Sequence, residues 1–162
     1  MIVDDSPMLR QKVTGSLREA QLFENYFEAN DGFNAIKVLA KEEVDMIICD
    51  VMMPRMDGFK LMEMISKEKR LEEIMVVMLS ANRGLFDKIK GLESGAIDYI
   101  TKPFHPQELV VRVRILLKMK QLQNELKTKI AELERVTILD DLTGLYNQRY
   151  LYDTLKREYN RS

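Results

Sequence analysis

The chain has 162 residues, 46% hydrophobic and 31% charged, which excludes global disorder and allows one packed domain or one domain with an extension. A formal net charge of −1 gives no general attraction to nucleic acid or anionic membrane. The single cysteine excludes an internal disulfide, and the single histidine excludes a histidine metal cluster.

Met1-Ile2-Val3 is an apolar stub, read as a first strand with a few residues missing ahead of it. No signal peptide is expected before the acidic pair Asp4-Asp5, and no apolar run is long enough for a bilayer. The expected location is cytoplasmic, with no membrane partner. Ser6-Pro7 is a helix start, a hydroxyl cap followed by proline at the first helical position. Leu9, Val13, Leu17 and Ala20 carry that helix to about Ala20. Tyr26 to Ala29 is a second, weaker strand, and Asn30-Asp31-Gly32 is a turn. Ala35, Ile36, Val38 and Leu39 predict a helix to about Glu43.

Met46 to Cys49 is apolar without alternation, the pattern of a strand buried on both faces. Asp50 stops it, and Pro54 and Asp57-Gly58 turn the chain into a helix marked by Phe59, Leu61, Met62, Met64 and Ile65. That helix is expected to fray into Lys67-Glu68-Lys69-Arg70. Ile74 to Leu79 is a fourth strand ending at Ser80, Leu85 to Glu93 a helix, and Ala96 to Ile100 a fifth strand before Thr101-Lys102-Pro103-Phe104. Five strands alternating with helices predict an α/β fold: a parallel sheet with helices on both faces and right-handed crossovers. Cys49 reads as a small core residue and His105 as an exposed turn residue.

An acid at the carboxyl end of a central parallel strand stands where open α/β sheets bind ligands. Alone, Asp50 reads more readily as a polar residue that ends a strand. Three of the other four predicted strands end in Asp4 and Asp5, in Ser80 and in Lys102. Three close carboxylates repel one another unless a cation sits among them, and oxygen-only donors favour Mg²⁺ over zinc. An ammonium and a hydroxyl supply what a phosphoryl group needs.

Val3-Asp4-Asp5-Ser6, Asp50-Val51-Met52-Met53-Pro54-Arg55-Met56-Asp57-Gly58, Ser80-Ala81 and Tyr99-Ile100-Thr101-Lys102-Pro103-Phe104 together resemble the receiver domain of bacterial two-component response regulators. The resemblance covers about residues 1–120 and implies a flavodoxin-like, doubly wound sheet of order 2-1-3-4-5. It implies that Asp50 accepts phosphate from a histidine kinase. Mg²⁺ would be held by Asp5, Asp50 and the backbone carbonyl of Met52, with Asp4 acting through water. Lys102, before an expected cis proline, would pair with the acyl phosphate. Ser80 would move to a phosphate oxygen and Tyr99 would rotate inward behind it; a half-buried edge aromatic is the other reading of Tyr99. Met52 is apolar and cannot orient a hydrolytic water, whereas Asn82 can, so a moderately long-lived phosphoryl group is expected.

From Gln107 to about Val136 there is no glycine or proline. Leu116, Met119, Gln123, Leu126, Ile130 and Leu133 recur in steps of three and four, the pattern of a parallel two-stranded coiled coil over residues 106–136. A single amphipathic helix packed on its own domain is the alternative. Arg112, Arg114, Lys118 and Lys120 do not share one face, which argues against a nucleic-acid stripe. Residues 137–162, with Asp140-Asp141-Leu142-Thr143-Gly144-Leu145-Tyr146-Asn147-Gln148-Arg149, resemble the opening of a GGDEF (diguanylate cyclase) domain, although Gln148 replaces the usual first arginine. Gly144 is expected to break the helix, and Tyr150, Leu151, Leu155 and Tyr159 to form a short amphipathic one. The catalytic loop of a cyclase is missing from the sequence, so a truncated output and no cyclase activity are expected.

The resemblance therefore implies a phosphorylation-controlled input module of a diguanylate cyclase. It would dimerise through the face of the fourth helix, fifth strand and fifth helix, through the coiled coil, or both. A receiver with a coiled-coil arm, serving as a phosphorelay or docking module, is the alternative. A DNA-binding regulator is a third class, disfavoured by the short, charge-balanced tail.

Overall fold

A computed structural model describes residues 1–71, 73–81, 95–138, 145–146 and 148–159. The chain divides into two compact units, Met1–Arg114 and Ile115–Ser162. In the first, strands β1 (Ile2–Val3), β2 (Glu28–Ala29), β3 (Met46–Asp50), β4 (Met75–Ser80) and β5 (Asp98–Thr101) form one sheet of order β2-β1-β3-β4-β5. Every neighbouring pair is parallel. This is the flavodoxin-like, doubly wound order expected.

Helices α1 (Pro7–Glu19), α2 (Gly32–Leu39) and α3 (Gly58–Lys67) follow β1, β2 and β3. Each starts on a side-chain cap close behind its strand. Ser6 accepts from the Leu9 N–H, Asp31 from the Asn34 N–H and Asp57 from the Lys60 N–H. Such caps satisfy otherwise orphaned amides and set where each strand-to-helix loop ends. Every residue of β3 and β4 is buried. Their apolar side chains each contribute about 1.5–3 kcal/mol on burial.

Several boundaries differ from expectation. Helix α2 ends at Leu39, not Glu43, because Lys41 and Glu42 turn their amides onto the Val38 carbonyl while Arg70 donates to the Leu39 carbonyl at 2.5 Å. The segment after Lys67 does not fray but forms a 3-10 turn, Lys69–Leu71. Strand β2 has only two residues, and β5 begins at Asp98 rather than Ala96, where the Ile97 N–H is still reaching the Val76 carbonyl. The predicted helix from Leu85 to Glu93 lies outside the described residues, as do Asn82 and Gly144.

One uninterrupted helix of 33 residues runs from Pro106 to Ile138, two residues past the expected Val136. Thr137 and Ile138 are thus part of this helix rather than of the segment after it. Along it Met119, Leu122, Leu126, Ile130 and Leu133 are exposed, whereas Leu116 is buried within the single chain. A tail helix spans Gln148–Tyr159, matching the short amphipathic helix expected there.

Candidate functional site

Sheet order places the switch in winding direction between β1 and β3, where adjacent loops diverge and leave a crevice at the carboxyl ends of the strands. Register then decides which side chains meet there. Val3 lies opposite Cys49, so Asp4 and Asp50 follow side by side. Ser80 lies opposite Thr101, which brings Lys102 to the same rim, and the Lys102 N–H donates to the Ser80 carbonyl at 2.6 Å. The Lys102-Pro103 bond is cis, as expected.

The charged groups converge. Asp4, Asp5 and Asp50 each offer a carboxylate oxygen, and these atoms lie within 4.8 Å of one another. Lys102 Nζ stands 2.8 Å from Asp4 Oδ2 and 3.0 Å from Asp50 Oδ2. Asp4 and Asp50 are buried and Asp5 is exposed. Burial pushes the Asp50 carboxyl above its ordinary value, and the charge of Asp4 adds to this. Hydrogen bonds from Lys102 and from the Met52 backbone N–H oppose the rise without cancelling it. For Lys102, burial alone lowers the pKa, but the bonds to Asp4 and Asp50 outweigh it and the net shift is upward. One exposed and two buried carboxylates with no nitrogen or sulfur donor form a set that suits a small, hard divalent cation.

The remaining expected residues are at the same rim or next to it. Ser80 is buried at the end of β4. Tyr99 is half-buried, packs against the core and encloses its hydroxyl oxygen. Met52 is 72% exposed, and its backbone N–H is already used by Asp50. Cys49 is buried, with its thiol pushed up chiefly by burial, and His105 is exposed.

Three further residues shape this site and were not singled out in the sequence. Asp31, read there as a turn residue, is a fully buried cap of α2 that pairs with Arg55. Arg55 itself sits in the loop after Asp50 with φ of 68°. Arg10 donates to the backbone carbonyl of Asp4 at 2.7 Å. Arg10 carries a faint sequence signal, a basic residue one turn into the helix that follows the acid pair.

The sequence profile of the response regulator receiver domain matches residues 1–114. The chain belongs to the response regulator receiver family. Receiver domains accept phosphate from histidine kinases and bind Mg²⁺ at an acidic pocket. Among solved structures, the receiver domain of the Francisella response regulator 1452 matches with a TM-score of 0.67 and 34% identity, over 74% of this chain and 95% of that one. Response regulator PleD of Caulobacter vibrioides is 36% identical over 152 residues, 90% of this chain but 34% of the relative. The probable transcriptional regulator ycf27 of Cyanidium caldarium is 38% identical over 124 residues, 76% of this chain and 48% of the relative. The chain thus spans about half or less of these two curated relatives. No helix among the described residues is long and apolar enough to cross a membrane.

Proposed function

We propose that this receiver is the input module of a two-component response regulator in which Asp50 takes the phosphoryl group. The observation that carries the reading is the Lys102 ammonium placed between Asp4 and Asp50, 2.8 and 3.0 Å away. An Asp50 oxygen attacks phosphorus, the bond to the kinase imidazole nitrogen breaks, and the imidazole leaves. Lys102 then exchanges its Asp50 contact for the new phosphoryl oxygens. Asp5, Asp50 and the Met52 carbonyl would hold Mg²⁺, with Asp4 in a supporting role. Bound there, Mg²⁺ supplies charge neutralisation for the transferring group. Ser80 reports the phosphoryl by hydrogen bonding to it, and Tyr99 moves with Ser80. Exposed, apolar Met52 offers nothing to orient a hydrolytic water, which favours a moderately long phosphate lifetime; one of only seconds after donor removal counts against it.

Domain limits in this reading are a receiver over 1–120, a linker helix over 106–136 and the start of a GGDEF domain over 137–162. The similarity to PleD supports it by covering 152 residues and so extending past the receiver. RpaA of Synechocystis, named as a DNA-binding regulator, matches over 118 residues, about the length of the receiver alone. Shared input with different output accounts for both. Of the expected seam, Met119, Leu126, Ile130 and Leu133 are exposed apolar residues on the linker helix and Gln123 is its exposed polar position, the line a second copy would cover. Leu116, the first residue of the expected seam, is buried within the single chain, whereas its neighbour Ile115 is exposed.

The deciding experiment treats the chain with acetyl phosphate and Mg²⁺ and weighs it intact. A gain of one phosphoryl group that Asp50→Asn abolishes supports the reading; a gain that persists in Asp50→Asn overturns it. Sedimentation with and without beryllofluoride tests dimerisation. Incubation with GTP should yield no cyclic dinucleotide, and a mobility shift on random DNA at physiological salt should be negative.

A further inference from the structure

Arg10, at the end of the first turn of α1, reaches back to the strand before it. Its Nη1 donates to the Asp4 carbonyl at 2.7 Å and its Nε to Glu28 Oε2 at 3.1 Å. The other oxygen of Glu28 accepts from Thr14 Oγ1 at 3.0 Å. The Arg10 side chain is 16% exposed and Thr14 is buried, while the Glu28 side chain that joins them is 37% exposed.

The rest of Asp4 is held as firmly. Its N–H donates to the Ala29 carbonyl at 3.1 Å. Its Oδ1 accepts from the Ser6 N–H at 2.8 Å, and its Oδ2 accepts from Lys102 at 2.8 Å. The carbonyl that Arg10 holds belongs to the peptide plane joining Asp4 to Asp5. Rotation of that plane sets where the Asp5 carboxylate points, and Asp5 is the one exposed member of the acid trio.

We infer that Arg10, braced by Glu28 and Thr14, is a positioning residue that aims Asp5 at the cation shared with Asp50. The inference rests on the Mg²⁺ reading of the site. A pure charge argument makes the opposite prediction, since removing a cation beside an acidic site strengthens the pull on Mg²⁺. Arg10 is paired with Glu28, which partly compensates its charge, and its bond to the Asp4 carbonyl is the contact through which orientation would act. Outer residues that orient metal ligands commonly change affinity by about 10–100-fold when lost.

The test is calorimetric titration of Mg²⁺ into the full chain, with the melting temperature of each variant in EDTA as a separate measure of folding. Arg10→Met should weaken Mg²⁺ binding about tenfold. Equal or tighter binding by Arg10→Met overturns the inference. If Arg10→Met does not fold, Thr14→Val decides, because it changes no charge. A loss of affinity in Thr14→Val, smaller than that expected for Arg10→Met, supports the bracket, and unchanged affinity there overturns it. A wild type that binds no Mg²⁺ overturns the metal reading itself, and this inference with it.

Discussion

Lys102 Nζ lies 2.8 Å from Oδ2 of Asp4, although 98 residues separate the two in sequence. The same ammonium reaches Asp50, so one cation serves two buried carboxylates. Removing it leaves both acids without a cationic partner, held by the Ser6 N–H on Asp4 and the Met52 N–H on Asp50. Breaking a fully buried pair costs about 3–5 kcal/mol, and the partial exposure of Lys102 lowers the expected loss to about 2 kcal/mol. Lys102→Met should show that loss in urea denaturation with EDTA. Mg²⁺ should then restore more stability to the variant than it adds to wild type, because the ammonium no longer competes for the acids. The raised lysine pKa adds a pH signature. Its contribution is complete below the ordinary value of about 10.4 and is lost as pH rises through the higher folded value.

Asp50 titrates in the opposite sense. Its folded pKa is raised, chiefly by burial, so the native state holds that proton more tightly than the unfolded chain does. Stability therefore falls as pH rises from the ordinary aspartate value of about 3.9 through the folded one. Asn does not titrate. Asp50→Asn in EDTA should melt at a higher temperature than wild type at neutral pH, and the two should converge below about pH 3.9. Thermal melts across that range check it; a constant difference at all pH values would contradict the burial argument.

Gly58 follows the cap of α3 and leaves no room for a side chain. A Cβ there would drive into the Asp50 carbonyl and approach Met78 Cε at 2.9 Å and Val51 Cα at 3.1 Å. Gly58→Ala should cost about 2–3 kcal/mol in chemical denaturation, the upper end of overpacking. It should also slow phosphoryl uptake, because the atom displaced is the backbone carbonyl of Asp50, the proposed acceptor.

At Arg55 two effects oppose each other. The φ of 68° favours glycine, while the guanidinium pairs with the buried Asp31 carboxylate. Arg55→Gly and Arg55→Ala both lose the pair, but only alanine keeps the backbone penalty. Arg55→Gly should therefore be about 1 kcal/mol more stable than Arg55→Ala in urea. Equal stabilities would mean that the loop relaxes when the pair is gone.

The central strands were legible because nothing else reads as Met46-Ile47-Ile48-Cys49 or Met75 to Leu79, unbroken and buried on both faces. Asp50 and Ser80 were legible because each ends such a strand, whereas Asp4 and Asp5 follow a two-residue strand and Lys102 a half-buried one. What stayed hidden depends on partners distant in sequence. The end of α2 is set by Arg70, 31 residues beyond the carbonyl it takes, and periodicity carries no trace of that bond. The two-residue β2 is held by pairing with β1 rather than by its own propensity. Asp31 looked like an ordinary turn residue until Arg55 and the start of α2 closed over it.

Cys49 is the single cysteine of the chain, lies in the middle of the sheet and has its thiol held strongly protonated by burial. An alkylating reagent can reach it only when β3 separates from its neighbours. This sulfur is therefore a built-in clock for sheet opening, one residue from Asp50, the proposed phosphoryl acceptor, and its labelling rate reports without any engineered probe how tightly each signalling state keeps the domain closed.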